Sequence, residues 1–357
     1  MSPAGVGGRL GFLDGIRGIA ALTVAAGHTA DVVWPSFNRW SHDWFSPGRA
    51  GVCAFFLVSG YVIPLSLERG AAGVPKADAL RGFAVSRVCR LYPMYWVSLA
   101  GALLLFMLGF EAVPADFEAA LPGAAWANAT MAQELLGVPH AIGLYYTLTI
   151  ELVWYVACAA LFALGWLGAT ERVAWAALAG LAVVGIGGPL LLDRHTPFST
   201  GFYLVTMLIG TALARHDGGT LAMPRVLALV TGAAAVAALG SWANYLRVPG
   251  AVDPEGELGM SSTLLPWAVA YGLVFGAHAL RRWPVPRSLA WLGLVSYSVY
   301  LLHPLAMAVV IEGDAGPWLQ LVAVLVATVA ASALTHRYVE VPGQAFGRRF
   351  RRQLVAA

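Results

Sequence analysis

Apolar stretches about 20 residues long, the length an α-helix needs to cross a bilayer, recur from one end of the chain to the other with short polar connections between them. Ten such stretches lie near 10–32, 50–68, 91–110, 144–166, 172–191, 198–214, 223–245, 261–280, 288–310 and 317–338. The pattern predicts an all-α polytopic membrane protein of about ten transmembrane helices. The connections leave no stretch of roughly 100 residues, the usual size of a separate soluble domain. A single membrane domain over 1–357 is expected, with a core of about 10–342 and a basic tail, 343–357.

Composition agrees. Charged residues make up 11% and hydrophobic residues 59% of the 357, against about 25% charged in a soluble domain, and the mean hydropathy is +0.71. Cys53, Cys89 and Cys158 are scattered through apolar or helical stretches, which argues against a disulfide framework and a metal site. The first apolar run is broken by Asp14 and Arg17, so it reads as a retained helix rather than a cleaved signal. All but one of the 22 basic residues are Arg, the exception being Lys76; with 40 Gly this suggests a GC-rich, bacterial genome.

Charge also predicts orientation. Taken alternately, the connections place 17 basic residues on one side and only Arg39, Arg49, Arg194 and Arg247 on the other. By the positive-inside rule the richer side is cytoplasmic, which puts both termini there in a bacterial inner membrane. The outer connections near 111–143 and 246–260 are acidic and are read as solvated loops that could shape an acceptor site. The tail "GRRFRRQ" and the net charge of +3 suit anionic lipid. No basic groove or aromatic platform points to nucleic acid.

The first helix is unusual. "LDGIRGIAALTVAAGH" carries Asp14, Arg17 and His28 in an apolar run, although a charge at the bilayer centre costs about 2.5 kcal/mol or more on insertion scales. Arg17 and His28 are eleven residues apart, a net turn of about 20° and a rise of about 16 Å, so they share a face. Asp14 joins that face, and Gly18, Ala21 and Ala25 stand between. The stripe suits a long thin cytoplasmic ligand with a phosphate at one end and a reactive group at the other. Close helix packing and an Asp14–Arg17 pair are the plainer reading, which leaves His28 unexplained.

These residues resemble the opening of the acyltransferase 3 family, membrane enzymes that acylate sugars and glycosides and whose first helix carries a basic residue, ten residues, then His. Further likeness follows in order: "GVCAFFLVSGYVI" (51–63), "RVCRLYPMYW" (87–96), "YYTLTIELVWY" (145–155), "VSYSVYLLHPL" (295–305) and "THRYVEVPGQAFGRR" (335–349). Arg17, His28, Arg87, Arg90, Glu151 and His303 match the family pattern. Cys53 stands where an Asp is common, and Leu152 where a second Glu is common. The appended esterase-like domain of some members is missing from this sequence.

The resemblance implies acyl-CoA as donor, a carbohydrate or glycoside as acceptor, and His28 as the catalytic residue, with no resident cofactor. A base of near-neutral pKa suits removal of a hydroxyl proton; covalent acceptance of the acyl group is the other role open to His28. Glu151 is expected at the depth of His28, where a carboxylate would orient the imidazole, or else in an ion pair with an Arg. His303 falls at outer depth and reads either as a substrate ligand or as a structural His before Pro304. Arg87 and Arg90, one turn apart, suit the donor's phosphates, with Asp14 and Arg17 further along; lipid snorkelling is the alternative. Ser59 lines a passage or serves packing. Tyr297, Ser298 and Tyr300 are read as structural. A transporter or flippase of a glycolipid or small metabolite is the competing class. Its signature, inverted repeats with paired broken helices, is not found, and no Walker or Rossmann pattern appears.

Overall fold

The computed structural model describes residues 11–192, 196, 198–247, 260–313 and 315–356. Arg194 lies outside them, as does most of the acidic loop 246–260. Among the described residues the secondary structure is helical: α1 (Gly11–Val33), α2 (Pro35–Asp43), α3 (Pro47–Ala71), α4 (Lys76–Met107), α5 (Ala115–Ala119), α6 (Gly123–Ala129), α7 (Tyr145–Ala163), α8 (Thr170–Ala182), α9 (Gly188–Leu192), α10 (Ser199–Asp217), α11 (Met223–Ser241), α12 (Met260–Ala279), α13 (Arg287–Val310), α14 (Pro317–Thr335) and α15 (Val341–Ala356). Wider π-type turns at Val183–Gly187 and His336–Glu340 join α8 to α9 and α14 to α15.

Each of the ten expected stretches is a helix. Eight helical stretches are long and apolar enough to cross a membrane, so the chain is a polytopic all-α membrane protein. The two that fall outside that set, α1 and α10, carry charges, and both pack against α3, the most buried of the eight spans. Neighbouring helices shield them from lipid, which is where polar spans are tolerated. Large apolar side chains such as Leu104, Met107, Val156, Leu191 and Val326 face outward, as acyl chains require.

Helix starts follow local chemistry. Ser46 caps α3 by accepting the Arg49 N–H, and Pro47 occupies the first turn, where no donor is lost. Pro317 opens α14 in the same way. Ends that the charge pattern assigns to one side meet there: Arg215 at the end of α10 clasps Glu68 at the end of α3 with both Nη atoms, and Arg225 reaches Glu171 at 3.2 Å.

Packing corrects one expectation. Gly18, Ala21 and Ala25 do not wall a passage. A methyl at Gly18 would stand 2.8 Å from the Leu289 carbonyl oxygen, and Ala21 and Ala25 are buried against Val295 and Val299 of α13. The small stripe brings α1 and α13 together, and Arg17, with Ser296, Tyr297 and Tyr300 of α13, lines a space beside that contact.

A second correction concerns depth. The connection 111–143 is not simply a surface loop: Asn128 and Met131 are fully buried, and Tyr92 and Tyr95, midway along α4, donate to the carbonyls of Thr130 and Asn128. This segment folds down into the bundle, where irregular backbone is tolerated because protein surrounds it. Tyr145, the first residue of α7, therefore starts well inside and shares a hydrogen bond with Ser98, which itself donates to Leu301.

Candidate active site

Five of the residues singled out in the sequence face one cavity. Arg17 of α1, Ser59 of α3, Arg87 and Arg90 of α4 and Glu151 of α7 line a space of about 110 Å³, completed by Phe55, Thr147, Tyr155, Tyr297 and Tyr300. The 32-residue α4 begins at Lys76, fifteen residues before the expected span. The arginine-rich approach is thus part of the helix, and Arg87 and Arg90, one turn apart, project to the same side.

Each charged group is held differently. Arg87 donates to Ser66 Oγ at 3.3 Å and lies over the rings of Phe83 and Tyr155, its guanidinium carbon 5.3 and 5.5 Å from their centroids. Tyr155 in turn donates to Glu151 Oε1 at 2.6 Å. Arg17 lies within electrostatic reach of Arg90, Asp14, Glu151 and Glu340. Among the described residues no ion pair within 4.0 Å joins Asp14 to Arg17, and Asp14 does not line the cavity. Three cationic side chains, Arg17, Arg87 and Arg90, with carboxylates near but not closed upon them, leave donor capacity for an anionic ligand.

The outer end of the cavity is roofed by aromatic side chains. Tyr300 shares a hydrogen bond with Thr147 at 2.8 Å and stacks edge-on to Phe55 and to His303, with centroids 5.9 and 6.1 Å away. Beyond that roof, His28 Nδ1 lies 3.1 Å from His303 Nε2. The expected partnership of Glu151 with His28 is therefore replaced. Glu151 lies six residues into α7, about 9 Å along the helix from Tyr145, and Tyr145 is tied through Ser98 to Leu301, two residues before His303. The inward fold of 111–143 lowers α7 and puts Glu151 on the level of the arginines.

His303 is fully buried, and its Nδ1 lies 3.2 Å from the Val299 carbonyl. A carbonyl only accepts, so this nitrogen carries the proton and Nε2 accepts from His28 Nδ1. The assignment leaves His28 Nε2 with a free lone pair. That atom looks towards the first turn of α3, where a methyl at Gly48 would stand 2.7 Å away.

A family model described as an acyltransferase domain matches residues 10–337, nearly the whole chain. The chain belongs to the acyltransferase 3 family. No curated protein and no solved structure matches it. Family membership and the spanning helices together make it a membrane acyltransferase.

Several residues of this candidate site were not legible in the sequence. Tyr155, Tyr297 and Tyr300 are cavity walls as well as anchors: Tyr297 donates to the Leu91 carbonyl at 2.9 Å. Glu340, 1% exposed, accepts from Ser298. Its Glu-x-Pro setting was visible, but its approach to Arg17 depends on the π turn that joins α14 to α15. Gly60 serves packing, with its Cα face against the Met207 carbonyl, while Ser59 faces the cavity.

Proposed function

We propose that the protein transfers an acyl group, most simply acetyl, from acyl-CoA to a hydroxyl of a sugar in a polysaccharide, glycolipid or glycosylated metabolite, in a bacterial inner membrane. The observation that supports this reading is that Arg17, Arg87 and Arg90 line one cavity, Tyr300 bounds it, and the His28–His303 pair lies on the far side of Tyr300. Arg17, Arg87 and Arg90 hold the donor's anionic end, with Asp14 and Glu151 as counter-charges. Ser59 and Tyr297 contact the extended arm, and the thioester meets His28 near the roof.

His28 Nε2 takes the proton of the acceptor hydroxyl as its oxygen attacks the thioester carbonyl. The C–S bond breaks and the departing thiolate takes the proton back. In the covalent route Nε2 attacks the thioester carbonyl and expels the thiolate; the acceptor hydroxyl then attacks the acyl group on the imidazole, the acyl–nitrogen bond breaks, and the hydroxyl proton passes to the thiolate. Both routes need Nε2 unprotonated and open, and His303 as the partner of Nδ1 supports that.

The test is acyl capture by purified protein in detergent, with labelled acetyl-CoA and a panel of sugar acceptors. Wild type labels an acceptor or consumes acetyl-CoA, and a folded His28→Ala does neither. A wild type that binds no acyl-CoA of any chain length would overturn the reading.

A further inference from the structure

Arg87 separates two spaces. On one side it lines the cavity described above; on the other it lines a hollow of about 30 Å³ at the cytoplasmic end, with Ser66, Asp78, Ser86 and Arg351. Arg351 comes from α15, beyond residue 337 where the family match ends. The last helix lies along α4 because Gly343 and Gly347 allow close contact with Cys89 and Pro93.

Two further glycines let Arg351 reach the hollow. A methyl at Gly70 would stand 3.4 Å from its Nη1, and one at Gly82 would stand 3.1 Å from its Cγ. The guanidinium thus lies over the turn that joins α3 to α4. Among the described residues no ion pair involves Arg351: the carboxylate in the hollow, Asp78, is paired with Arg81 at 3.2 Å. Arg87 spends one Nη on Ser66, while its Nε is buried without a partner. Ser66 spends its own proton on the Ile63 carbonyl, but two guanidinium groups from separate elements with open donors, and Ser86 beside them in the lining, form an anion seat.

We propose that this hollow seats a phosphate of the nucleotide end of the acyl donor, with Arg351 and Arg87 as its ligands. The inference rests on the acyl-CoA reading above and adds to it a residue that the family likeness does not reach. A donor held there continues past Arg87 into the larger cavity, so its arm enters already pointed at the aromatic roof. The headgroup phosphate of an inner-leaflet lipid is the other source of the same chemistry.

The experiment uses the full chain in nanodiscs of neutral or anionic lipid and measures binding of acetyl-CoA and of S-acetylpantetheine, which lacks the nucleotide. Arg351→Gln weakens acetyl-CoA about tenfold, the scale of one lost charge-assisted contact, and leaves S-acetylpantetheine unchanged. Arg348→Gln, on the same helix, leaves both unchanged. Wild-type affinity for acetyl-CoA in Arg351→Gln overturns the proposal; if that variant instead loses sensitivity to anionic lipid, the seat is a headgroup site. Equal weakening of both ligands with a lowered thermal midpoint overturns it in favour of a structural role. Failure of the wild type to bind either ligand overturns the acyl-CoA reading itself, a distinct result.

Discussion

His28 and His303 stand 3.1 Å apart, nitrogen to nitrogen, with the second ring fixed by the carbonyl of Val299. The backbone acceptor dictates the tautomer of His303, and His303 dictates that of His28. A histidine 275 residues away in sequence thus sets which nitrogen of the His28 imidazole is bare.

His303→Ala removes the acceptor, frees the His28 ring and allows the wrong tautomer. We expect kcat to fall about 10²-fold, at the lower end of the range for a lost acid–base arrangement, with KM for the donor little changed. His303→Gln, which can place an amide oxygen near the Nε2 position, restores part of that loss; His303→Leu does not. Steady-state kinetics on the three variants checks this, and a loss shared equally by Gln and Leu would reduce His303 to a packing residue.

Gly48 keeps Nε2 accessible. A methyl 2.7 Å from that atom occupies the approach to the lone pair, and the ring cannot swing aside without breaking its contact with His303. Gly48→Ala is expected to lower acyl transfer at least tenfold, about 1.4 kcal/mol in activation free energy, while thermal stability stays near wild type. Retained activity would mean that the acceptor reaches His28 from another direction.

Arg90 should act on donor affinity and not on chemistry. It lines the cavity on the level of Arg17 and Glu151, far below the histidine pair. Arg90→Gln is expected to raise KM for acetyl-CoA about tenfold and to leave kcat within about threefold, because an interaction made equally in ground and transition states appears in KM alone. A fall in kcat with unchanged KM would place this arginine at the reacting atoms instead.

Much of this was legible because membrane insertion writes strong patterns. Ten hydrophobic stretches, a lopsided arginine distribution and charges stranded in α1 are all direct consequences of the bilayer, and the residues chosen for chemistry mostly face one cavity. The depth of Glu151 was not legible: hydropathy assumes that a span starts at the surface, whereas α7 starts inside, beneath a loop held by Tyr92 and Tyr95. The small residues of α1 misled for a related reason. Gly and Ala make room both for a ligand and for another helix, and only the position of Leu289 and Gly293 decides between them.

Orientation gives an independent check. The positive-inside pattern places the N-terminus and the basic α15 in the cytoplasm and the loop before α7 outside. Single cysteines introduced at Ser2 and Glu118 in a cysteine-free background should differ in whole cells. A membrane-impermeant maleimide labels the Glu118 position directly, and the Ser2 position only after the membrane is broken. Direct labelling of both positions would remove the cytoplasmic approach assumed for the donor.

The contact of α1 with α13 should be the least forgiving in the bundle. Gly293 lies against the carbonyl of Asp14 so closely that a Cβ there has no room, and Gly18 meets the Leu289 carbonyl and the Gly293 nitrogen from the other side. Backbone, unlike a flexible side chain, yields only if one helix moves. Gly293→Ala is expected to destabilise the fold by about 1–3 kcal/mol, the usual cost of overpacking, read as a lower thermal midpoint in detergent. Any folded fraction should also lose activity, because α1 carries Arg17 and His28 while α13 carries His303 and Tyr300. A shift of α1 along α13 separates the two imidazoles before it disturbs the lipid-facing helices. Loss of transfer ahead of loss of folded protein, followed across a temperature series, is the expected signature; coincident loss would show the interface to be structural only.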